Sequence, residues 1–439
     1  MQFEMGQARV LGMKRVRAEG WRWAWYDWAN SVFATTVLAA FFPIFFAEYW
    51  GSDLGAVDAL FWLGLGSSVA GVLAAVSAPM VGALADRARN KARFLGWFAL
   101  GGAGLTAALG GVGAGMWGWA LGLFVLAQVG FLLSVVVADS MLVDVSSPEN
   151  VDFVSGLGFA LGYLGGGLLF VVNVAMVLRP GWFGLSDAAM ATRVGFIVVG
   201  VWWAVFSLPA ITLKLGGPDR VPGAWRAVKE GWKELVAVGR EIATNRNALI
   251  FLVAYWFYID GVDTLIAMAV SYGKSLGVSS EELIGTILII QFVAFPAALA
   301  TGWLGQRLGP KPVLLVGLAV YLGITVYASR LSLEPWVVAG FAVSKVYVLG
   351  ILIALVQGGV QALSRSLFTR LIPEGRAGGW FGFYNLLGRF AAILGPMLMA
   401  LVARLSGEPR LGILAVSVLF LVGGGLLLGV RVPEARVAR

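Results

Sequence analysis

Twelve apolar segments, each long enough to cross a lipid bilayer, constrain the fold of this chain more than any other feature. A helix needs about 20 apolar residues to cross about 30 Å of hydrocarbon. Runs such as 121–137 do not alternate between polar and apolar residues, as the strands of a closed membrane barrel would. We therefore predict an all-α integral membrane protein with twelve transmembrane helices, at about 26–48, 59–83, 94–113, 116–138, 153–178, 193–213, 248–271, 283–304, 312–329, 336–362, 379–403 and 411–430.

The composition supports a membrane location and excludes several kinds of chemistry. Only 13% of the 439 residues are charged, against about 25% in a typical soluble protein. The sequence contains no Cys and no His, which excludes disulfides, thiolate or imidazole metal sites and Cys or His nucleophile–base pairs. Gly273-Lys274-Ser275 resembles the end of a phosphate-binding loop, but Met268 stands where the leading Gly belongs. We expect no enzyme activity, no cofactor, no metal and no direct use of ATP.

Lys and Arg are distributed unequally between the two faces that twelve spans imply. With both termini on one face, that face carries 24 cations and the other carries 6, while Lys345 and Arg389 fall within predicted spans. Cytoplasmic loops of membrane proteins carry the excess of Lys and Arg. We therefore predict a multi-pass protein of the cell inner (plasma) membrane with both termini in the cytoplasm. The net charge of +8 follows from this orientation, so no nucleic-acid partner is expected.

The longest polar stretch divides the chain into two similar parts. We predict an N-terminal six-helix half at 1–213, a cytoplasmic linker at 214–247 and a C-terminal six-helix half at 248–439. The pattern Gly-x-Leu-x-Asp-Arg-x-x-x-Lys at 82–91 returns as Gly-x-Leu-x-Gln-Arg-x-x-x-Lys at 302–311, an offset of 220 residues. Parallel repeats of this kind build many transporters. With these two short basic loops the chain resembles the major facilitator superfamily, whose pseudo-symmetric fold we expect here.

The linker contains an apolar series at helical spacing, with basic residues on the other face. One interpretation is a helix that lies on the cytoplasmic surface of the membrane. A solvated helix that tethers the two halves is the other. The apolar series is Trp225, Val228, Trp232, Leu235 and Ile242, and the basic residues are Arg226, Lys229, Lys233 and Arg240.

The basic loops have a candidate role in gating. Asp86 lies near the start of a helix, where exposed backbone amides favour a carboxylate, and the cations after it can reach the other half. In the superfamily this loop acts as a latch for one of the two access states, so the resemblance implies a latch here. The alternative is that the cations only fix the topology. The candidate latch residues are Gly82, Asp86, Arg87, Lys91, Arg307 and Lys311.

Two acids lie at mid-depth in predicted span seven, where an ionisable group costs at least about 2.5–3.5 kcal/mol. Asp260 and Asp263 share one helix face at spacing i, i+3. Two close carboxylates in a low dielectric favour a bound proton or cation, so we predict a role in substrate binding or ion coupling. The alternative is a structural salt bridge with Lys345, which lies about nine residues into predicted span ten. In the superfamily, spans one, four, seven and ten line the central cavity, which would permit this pair.

Span one begins with a second polar group. Asp27, Asn30 and Ser31 share a helix face and repeat the type and spacing of the span-seven acids. They either bind substrate or cap the start of the helix. Gln357 and Gln361, with Arg365 one further turn away, form either a polar stripe toward a cavity or ordinary interhelical hydrogen bonds. The candidate contacts with a substrate or coupling ion are Asp27, Asn30, Asp260, Asp263, Lys345, Gln357, Gln361 and Arg389.

Several segments carry a closer resemblance, and they extend over both halves: 26–31, 158–166, 260–264, 288–292, 358–366, 381–384 and Gly395-Pro396. They resemble the branch of the superfamily related to the autophagy-associated vacuolar amino-acid effluxer, which has bacterial-type members. That family usually has Asn and Gln where Ile259 and Asp263 stand in this sequence. The resemblance implies export of amino acids or of a related small metabolite.

Together these features predict a secondary active transporter that works by alternating access. The expected partners are a small organic solute, H+ or Na+ and the lipid bilayer, and the protein is expected to be a monomer. Proton coupling would have to use carboxylates, since the chain has no His. The alternatives are a transporter of another small solute or drug-like compound, or a membrane sensor that transports nothing.

Overall fold

The computed structural model describes residues 16–88, 90–215, 233, 236–338, 341–391 and 394–432. Within these residues, eleven helices are long and apolar enough to cross a membrane. A shorter apolar helix, Leu394–Ser406, follows Ala377–Ala391 and completes the remaining crossing. The predicted spans are therefore confirmed as helices, although several of their ends differ.

The helices are named by span, in chain order. Span one comprises Ala18–Val32, Phe33–Phe41, Phe42–Phe45 and Phe46–Trp50, of which the second and fourth segments are π-helical. Spans two to six are Ala56–Ala88, Lys91–Leu109, Trp117–Val145, Val151–Leu178 and Ala188–Ile211. Spans seven to ten are Arg246–Ser275, Ser280–Leu308, Pro310–Ser329 and Lys345–Thr369. Span eleven is Ala377–Ala391 with Leu394–Ser406, and span twelve is Pro409–Ala415 with Ser417–Leu428. The short elements are the 3-10 helix Pro180–Phe183 and the strands Trp336–Val338 and Phe341–Val343.

The connections between the spans lie at the two ends of the bundle. The start of span one, the connections after spans two, four, six, eight and ten, and the end of span twelve lie together at one end, because successive spans run in opposite directions. We call this end the terminal side and the other end the opposite side. Span one begins at Ala18, eight residues before its predicted start, so Asp27 lies about 14 Å inside the helix at 1.5 Å per residue.

Each half packs around an apolar core of its own. The core of spans one to six includes Trp203 and Phe124, and the core of spans seven to twelve includes Tyr258 and Trp380. Large side chains also face outward over most of the length of the spans, as expected for helices surrounded by lipid rather than water. The fold is therefore two helical bundles that meet along one interface.

The start of span ten differs from the prediction. Residues Trp336–Val338 and Phe341–Val343 pair as antiparallel strands, and the helix begins only at Lys345. The Ser344 hydroxyl caps this helix by accepting from the Val346 amide. An apolar run of eight residues fits a buried strand or a helix equally well, and here strand pairing and the cap fix the boundary.

The end of the linker packs on the C-terminal half. Residues 236–244 are helical, and Val238 and Ile242 join the core of that half. The Glu241 carboxylate accepts from the Arg376 guanidinium at 3.1 Å and from the Trp380 indole N–H at 3.3 Å. This segment is therefore attached to the start of span eleven. The predicted apolar residues Trp225, Val228, Trp232 and Leu235 lie outside the described residues.

Candidate functional site: a gate between the halves and a central polar cluster

One buried arginine joins the two halves on the terminal side. The Arg365 guanidinium of span ten donates to the Asp139 carboxylate at 3.0 Å and to the Asp27 carboxylate at 3.4 Å. It also donates to the hydroxyl and carbonyl oxygens of Ser155, at 2.9 and 3.0 Å. The Asn385 amide donates to the second Asp139 oxygen at 3.0 Å. We call these five residues the gate network, because Asp27, Asp139 and Ser155 belong to one half and the other two to its partner half.

Aromatic rings and a glycine hold the guanidinium in place. Arg365 lies between the rings of Trp23 and Phe159, with its central carbon 4.8 and 4.4 Å from the two ring centres. Cation–π contacts of this kind strengthen when they are desolvated, and the Arg365 side chain is only 5% exposed. A methyl group on Gly158 would overlap the Asp27 carboxylate. Gly158 therefore provides the space in which Asp27 and Arg365 meet.

Two further polar contacts cross between the halves on the terminal side. The Asp152 carboxylate at the start of span five accepts from the Arg370 guanidinium at the end of span ten. The Asp86 carboxylate at the end of span two accepts from the backbone amides of Gly378 and Gly379, at 2.6 and 3.2 Å. These amides belong to the first turn of span eleven, where unpaired N–H groups favour an anion. Both contacts need the halves to be closed on this side.

The Asp86 contact depends on close backbone packing and on a neighbouring cation. Lys91 lies 3.2 Å from Asp86 and 2.9 Å from Asp144, so it holds Asp86 from within its own half. A methyl group on Gly82 would overlap the Gly378 carbonyl oxygen. Spans two and eleven therefore approach so closely that only glycine fits at this crossing.

Packing between the halves becomes weaker toward the opposite side. The first segment of span eleven, Ala377–Ala391, packs on spans two and four of the other half. Its second segment, Leu394–Ser406, lies nearer the opposite side and packs mainly on spans seven and twelve of its own half. A contact between the halves at mid-depth is the hydrogen bond from the Gln291 amide to the Thr35 hydroxyl, at 3.1 Å. Polar contacts between the halves thus extend from the terminal side to the middle of the bundle.

Polar side chains of spans five, seven and ten meet at the centre of the interface, and Tyr321 of span nine lies behind them in the core of its own half. The Tyr163 hydroxyl of span five donates to the Gln361 side chain of span ten at 3.3 Å, and Gln357 also lies within hydrogen-bond reach of it. Asp263 is half-buried, and its charge acts on both the Tyr163 hydroxyl and the Tyr321 hydroxyl. We call these five residues the central cluster. It contains one carboxylate, two amides and two phenols, a set that can bind a small polar solute or a cation.

Asp260 has a different environment from Asp263. It is fully buried, and one of its oxygens accepts from the Gly395 amide at 2.9 Å, while the other has no hydrogen-bond partner among the described residues. Gly395 lies in the first turn of Leu394–Ser406, so Asp260 binds the start of the second half of span eleven. The two acids do not act as a pair on one face, because Asp260 is held by span eleven and Asp263 faces the central cluster.

The structure does not place Lys345 beside either acid. Lys345 is the first residue of the span-ten helix on the opposite side, where its ammonium donates to the Ser332 hydroxyl and lies 5.9 Å from the centre of the Trp336 ring. The proposed salt bridge to Asp260 or Asp263 is therefore wrong. It assumed that residues 336–343 were helical, which would have put Lys345 two turns deeper.

The remaining predicted residues lie at several places. Asn30 is buried beside the Tyr26 hydroxyl in the core of the first half, so it does not share the face on which Asp27 meets Arg365. Arg307 stacks on Trp303 at 4.2 Å. The Lys311 ammonium donates to the carbonyl oxygens of Leu428 and Val430, at the end of span twelve. The side chains of Arg87 and Arg389 lie outside the described parts of the structure.

Sequence reasoning missed the residues that complete the gate. Arg365 was counted with the cations of a cytoplasmic loop, yet it is buried between the halves. Asp139 and Asn385 are not among the site residues predicted from the sequence, yet both contact the gate network. A signal was present, since Asp139 and Arg365 lie near the same end of apolar spans and carry opposite charges. Among the described residues, no three acids converge as a metal site would require.

Comparison with known proteins identifies the family of the chain. A family model described as "Vacuole effluxer Atg22 like" matches residues 62–439. The uncharacterized MFS-type transporter YxiO of Bacillus subtilis (strain 168) is 33% identical over 416 residues, which cover 94% of each protein. Autophagy-related protein 22 of Yarrowia lipolytica is 25% identical over 313 residues, 64% of this chain and 51% of that protein. The chain thus spans about half the length of this fungal relative.

Solved structures show the same fold at low sequence identity. The human organic anion transporter MFSD10 (TETRAN) superposes with a TM-score of 0.70 at 15% identity, over 94% of this chain and 100% of that chain. The proton:xylose symporter XylE superposes with a TM-score of 0.67 at 13% identity, over 95% of this chain and 94% of that chain. These likenesses confirm the predicted twelve-helix fold with two six-helix halves. The relatives and structural neighbours are transporters, not enzymes.

Proposed function

Since the chain belongs to the Atg22-like vacuole effluxer family of the major facilitator superfamily, we propose that it exports an amino acid or a related small metabolite by alternating access. The protein is a multi-pass membrane protein of the MFS transporter type. The finer claims are the class of solute, the direction of transport and the coupling to an ion. Each of them is argued below from the interface between the halves.

The observation that carries the proposal is the uneven closure of this interface. Ion pairs and backbone contacts join the halves on the terminal side, at Arg365, Arg370 and Asp86, whereas the opposite-side segment of span eleven, Leu394–Ser406, packs mainly within its own half. The central cluster lies between the two regions. We infer that a site in this position is reached from the opposite side, and that its access changes sides when the terminal contacts break and the halves rock about the centre.

The terminal side is proposed to face the cytoplasm of a cell whose plasma membrane holds the protein. Its loops carry the excess of Lys and Arg, as cytoplasmic loops do. Two of its cations, Lys91 and Arg370, also bind acids of the gate region. In this orientation the described state is open toward the exterior and is the state from which an exporter releases its solute.

The central cluster is the proposed solute site. An α-amino acid presents an ammonium group, which a carboxylate can bind, and a carboxylate, which amide and phenol donors can bind. Asp263 supplies the carboxylate, and Gln357, Gln361 and Tyr163 supply the neutral donors, with the buried Tyr321 hydroxyl near Asp263 behind them. Asp260 and Asp27 are proposed to serve coupling rather than solute contact, because Asp260 binds Gly395 and Asp27 binds Arg365.

The experiment is a thermal-shift screen of the purified protein against amino acids and small metabolites at two pH values, followed by transport of each hit in proteoliposomes. Asp263→Asn removes the cluster carboxylate and should abolish the ligand-induced shift and transport. Asp187→Asn removes an equal charge from an exposed helix cap on the opposite side and should change neither. Binding that survives in Asp263→Asn would contradict the assignment of the site. If the only hits are other solutes or drug-like compounds, the proposed solute class is wrong. Ligand binding without transport would indicate a sensor.

A further inference from the structure

The gate network contains more negative than positive charge, and the charges are divided between the halves. Asp27 and Asp139 belong to spans one and four, whereas the shared cation, Arg365, belongs to span ten. All three side chains are largely buried, with exposed fractions of 17%, 6% and 5%. Any motion that parts the halves on the terminal side therefore withdraws the cation from both carboxylates at once.

Two carboxylates left together in a poorly solvated site cannot both keep their charge at little cost. Breaking a buried ion pair by removal of one partner leaves an uncompensated charge, and two neighbouring carboxylates favour the uptake of one proton. Resting on the transport function proposed above, we propose that Asp27 binds a proton when the terminal side opens and loses it when Arg365 returns. The proton comes from water that reaches the open gate, the carboxylate becomes a neutral carboxyl group, and the guanidinium displaces the proton back to water on closing.

Asp27 rather than Asp139 is the proton acceptor because the two acids are held unequally. Asp139 receives a hydrogen bond from Arg365 at 3.0 Å and a second from Asn385 at 3.0 Å, and Asn385 contacts it from span eleven. Within the described residues, Asp27 receives only the longer contacts of 3.4 Å from Arg365, and its side chain is 17% exposed against 6% for Asp139. A carboxylate that accepts fewer and longer hydrogen bonds is less stabilised in its charged form. Asp27 therefore takes up the proton first as the halves begin to part, and its exposed edge gives water a path to it.

Among the described side chains, the other charged and titratable groups near the network do not supply a second cation. Tyr26 of span one lies close enough to Asp27 to interact with its charge, and Tyr384 of span eleven interacts with Asp139 and Arg365. Span five contributes the neutral Ser155. The nearest other ion pairs on the terminal side have their own partners, since Arg370 is bound by Asp152, and Lys91 is bound by Asp86 and Asp144. Within the described residues, Arg365 is the cation that the two gate acids share.

The sign of the pH dependence follows from proton counting. The open state holds one proton more than the closed state, so lowering the pH favours the open state. For one proton, the ratio of open to closed molecules changes by at most about tenfold per pH unit. Asp27→Asn should flatten this dependence to less than about twofold per unit, because no group at that position then titrates. Asp139→Asn should weaken the closed state yet keep the dependence, because Asp27 still loses Arg365 on opening.

The experiment measures the distance between spin labels across the gate as a function of pH. The chain has no Cys, so Pro148→Cys and Glu374→Cys, two exposed terminal-side positions in different halves, give a single label pair. The protein is studied in proteoliposomes without added solute. Asp27→Asn is compared with Asp139→Asn, which removes the same charge from the same network, and with Asp152→Asn, which breaks another cross-half pair. Asp27→Glu keeps a titratable carboxyl group and should therefore keep the pH dependence. It is the variant to measure if Asp27→Asn does not fold.

We expect the long-distance population of the parent protein to grow as the pH falls. The same growth is expected in Asp139→Asn and Asp152→Asn, but not in Asp27→Asn. A parent whose two populations do not respond to pH would overturn the proton proposal while leaving alternating access intact. A pH response that persists in Asp27→Asn would overturn the assignment to Asp27. One distance at every pH in the parent and in all variants would contradict both this inference and the proposed function.

Discussion

The two basic loops, 82–91 and 302–311, repeat one sequence pattern but make different contacts. In the first loop the Asp86 carboxylate reaches the Gly378 and Gly379 amides of the other half. In the second loop Gln306 stands at the equivalent position, and its side-chain oxygen has no hydrogen-bond partner among the described residues. At this position the first copy of the repeat therefore places a charge against the other half, and the second copy places a neutral amide.

The glycines of the two loops behave alike, in contrast to the polar residues. A side chain on Gly82 would overlap Gly378, and a Cβ on Gly302 would lie 3.0 Å from the Asp152 carbonyl oxygen and 3.2 Å from the Gly156 Cα. Spans two and eight thus each cross a span of the other half at close range. Backbone packing follows the internal repeat, while the electrostatic contact that closes the gate does not.

The cations of the two loops also differ in their partners. Lys91 binds Asp86 and Asp144 and so supports the cross-half contact. Lys311 binds the carbonyl oxygens of Leu428 and Val430, which belong to its own half. From this comparison we propose that the first loop controls the gate and that the second stabilises one half.

The largest expected effect is that of Gly82→Ala. The methyl group must displace the Gly378 backbone, and overpacking of this kind costs about 1–3 kcal/mol, so the open population on the terminal side should rise by about 5- to 150-fold. The label pair at 148 and 374 measures this shift. Gly64→Ala in the same span is the control, because the added methyl group meets open space. Equal populations in the two variants would refute the close crossing.

A smaller effect is expected of Asp86→Asn. The amide keeps an acceptor oxygen for the Gly378 N–H but loses the charge that the helix start and Lys91 stabilise. A charge at a helix terminus is worth about 1 kcal/mol, so the open population should rise about fivefold. The same label pair reports it, with Gln306→Ala as the matched control in the second loop. An equal response to both variants would mean that the loops act alike.

The smallest effect is expected of Lys311→Met. Loss of a cation that caps the last helix should lower the free energy of unfolding by about 0.5–1 kcal/mol and leave the label distance unchanged. Lys91→Met is the comparison, since it removes a partner of Asp86 and should lengthen the distance. Thermal unfolding in detergent measures the first effect and the label pair the second. A gate shift in Lys311→Met would contradict the division of roles between the loops.

The spans and the two halves could be predicted because they depend on local properties of the sequence. A run of about 20 apolar residues is helical in a bilayer whatever its neighbours are. The internal repeat can be recognised directly in the amino-acid sequence. Where local properties were ambiguous, prediction was wrong. Residues 336–343 are apolar and lie next to a helix, and only the pairing of Trp336–Val338 with Phe341–Val343 moves Lys345 to the end of span ten.

The gate could not be predicted because its partners are far apart in the chain. Asp27 and Arg365 are separated by 338 positions, and nothing in either segment specifies the other. Arg365 follows the polar residue Ser364 at the end of an apolar run, so counting by topology placed it in a loop. The same limit applies to Asp260, because spacing along span seven cannot show that the Gly395 amide of span eleven donates a hydrogen bond to one of its oxygens.

The most direct test of the account is the side from which a thiol at the centre can be reached. Gln361→Cys in the otherwise Cys-free chain places one thiol beside Tyr163, between the halves. A membrane-impermeant maleimide is applied to sealed vesicles of each orientation, and a protease-sensitive tag at the C-terminus identifies the terminal side. We predict labelling from the opposite side only, with labelling from the terminal side appearing when Gly82→Ala is added. Labelling from the terminal side in the absence of Gly82→Ala would contradict a gate closed on that side.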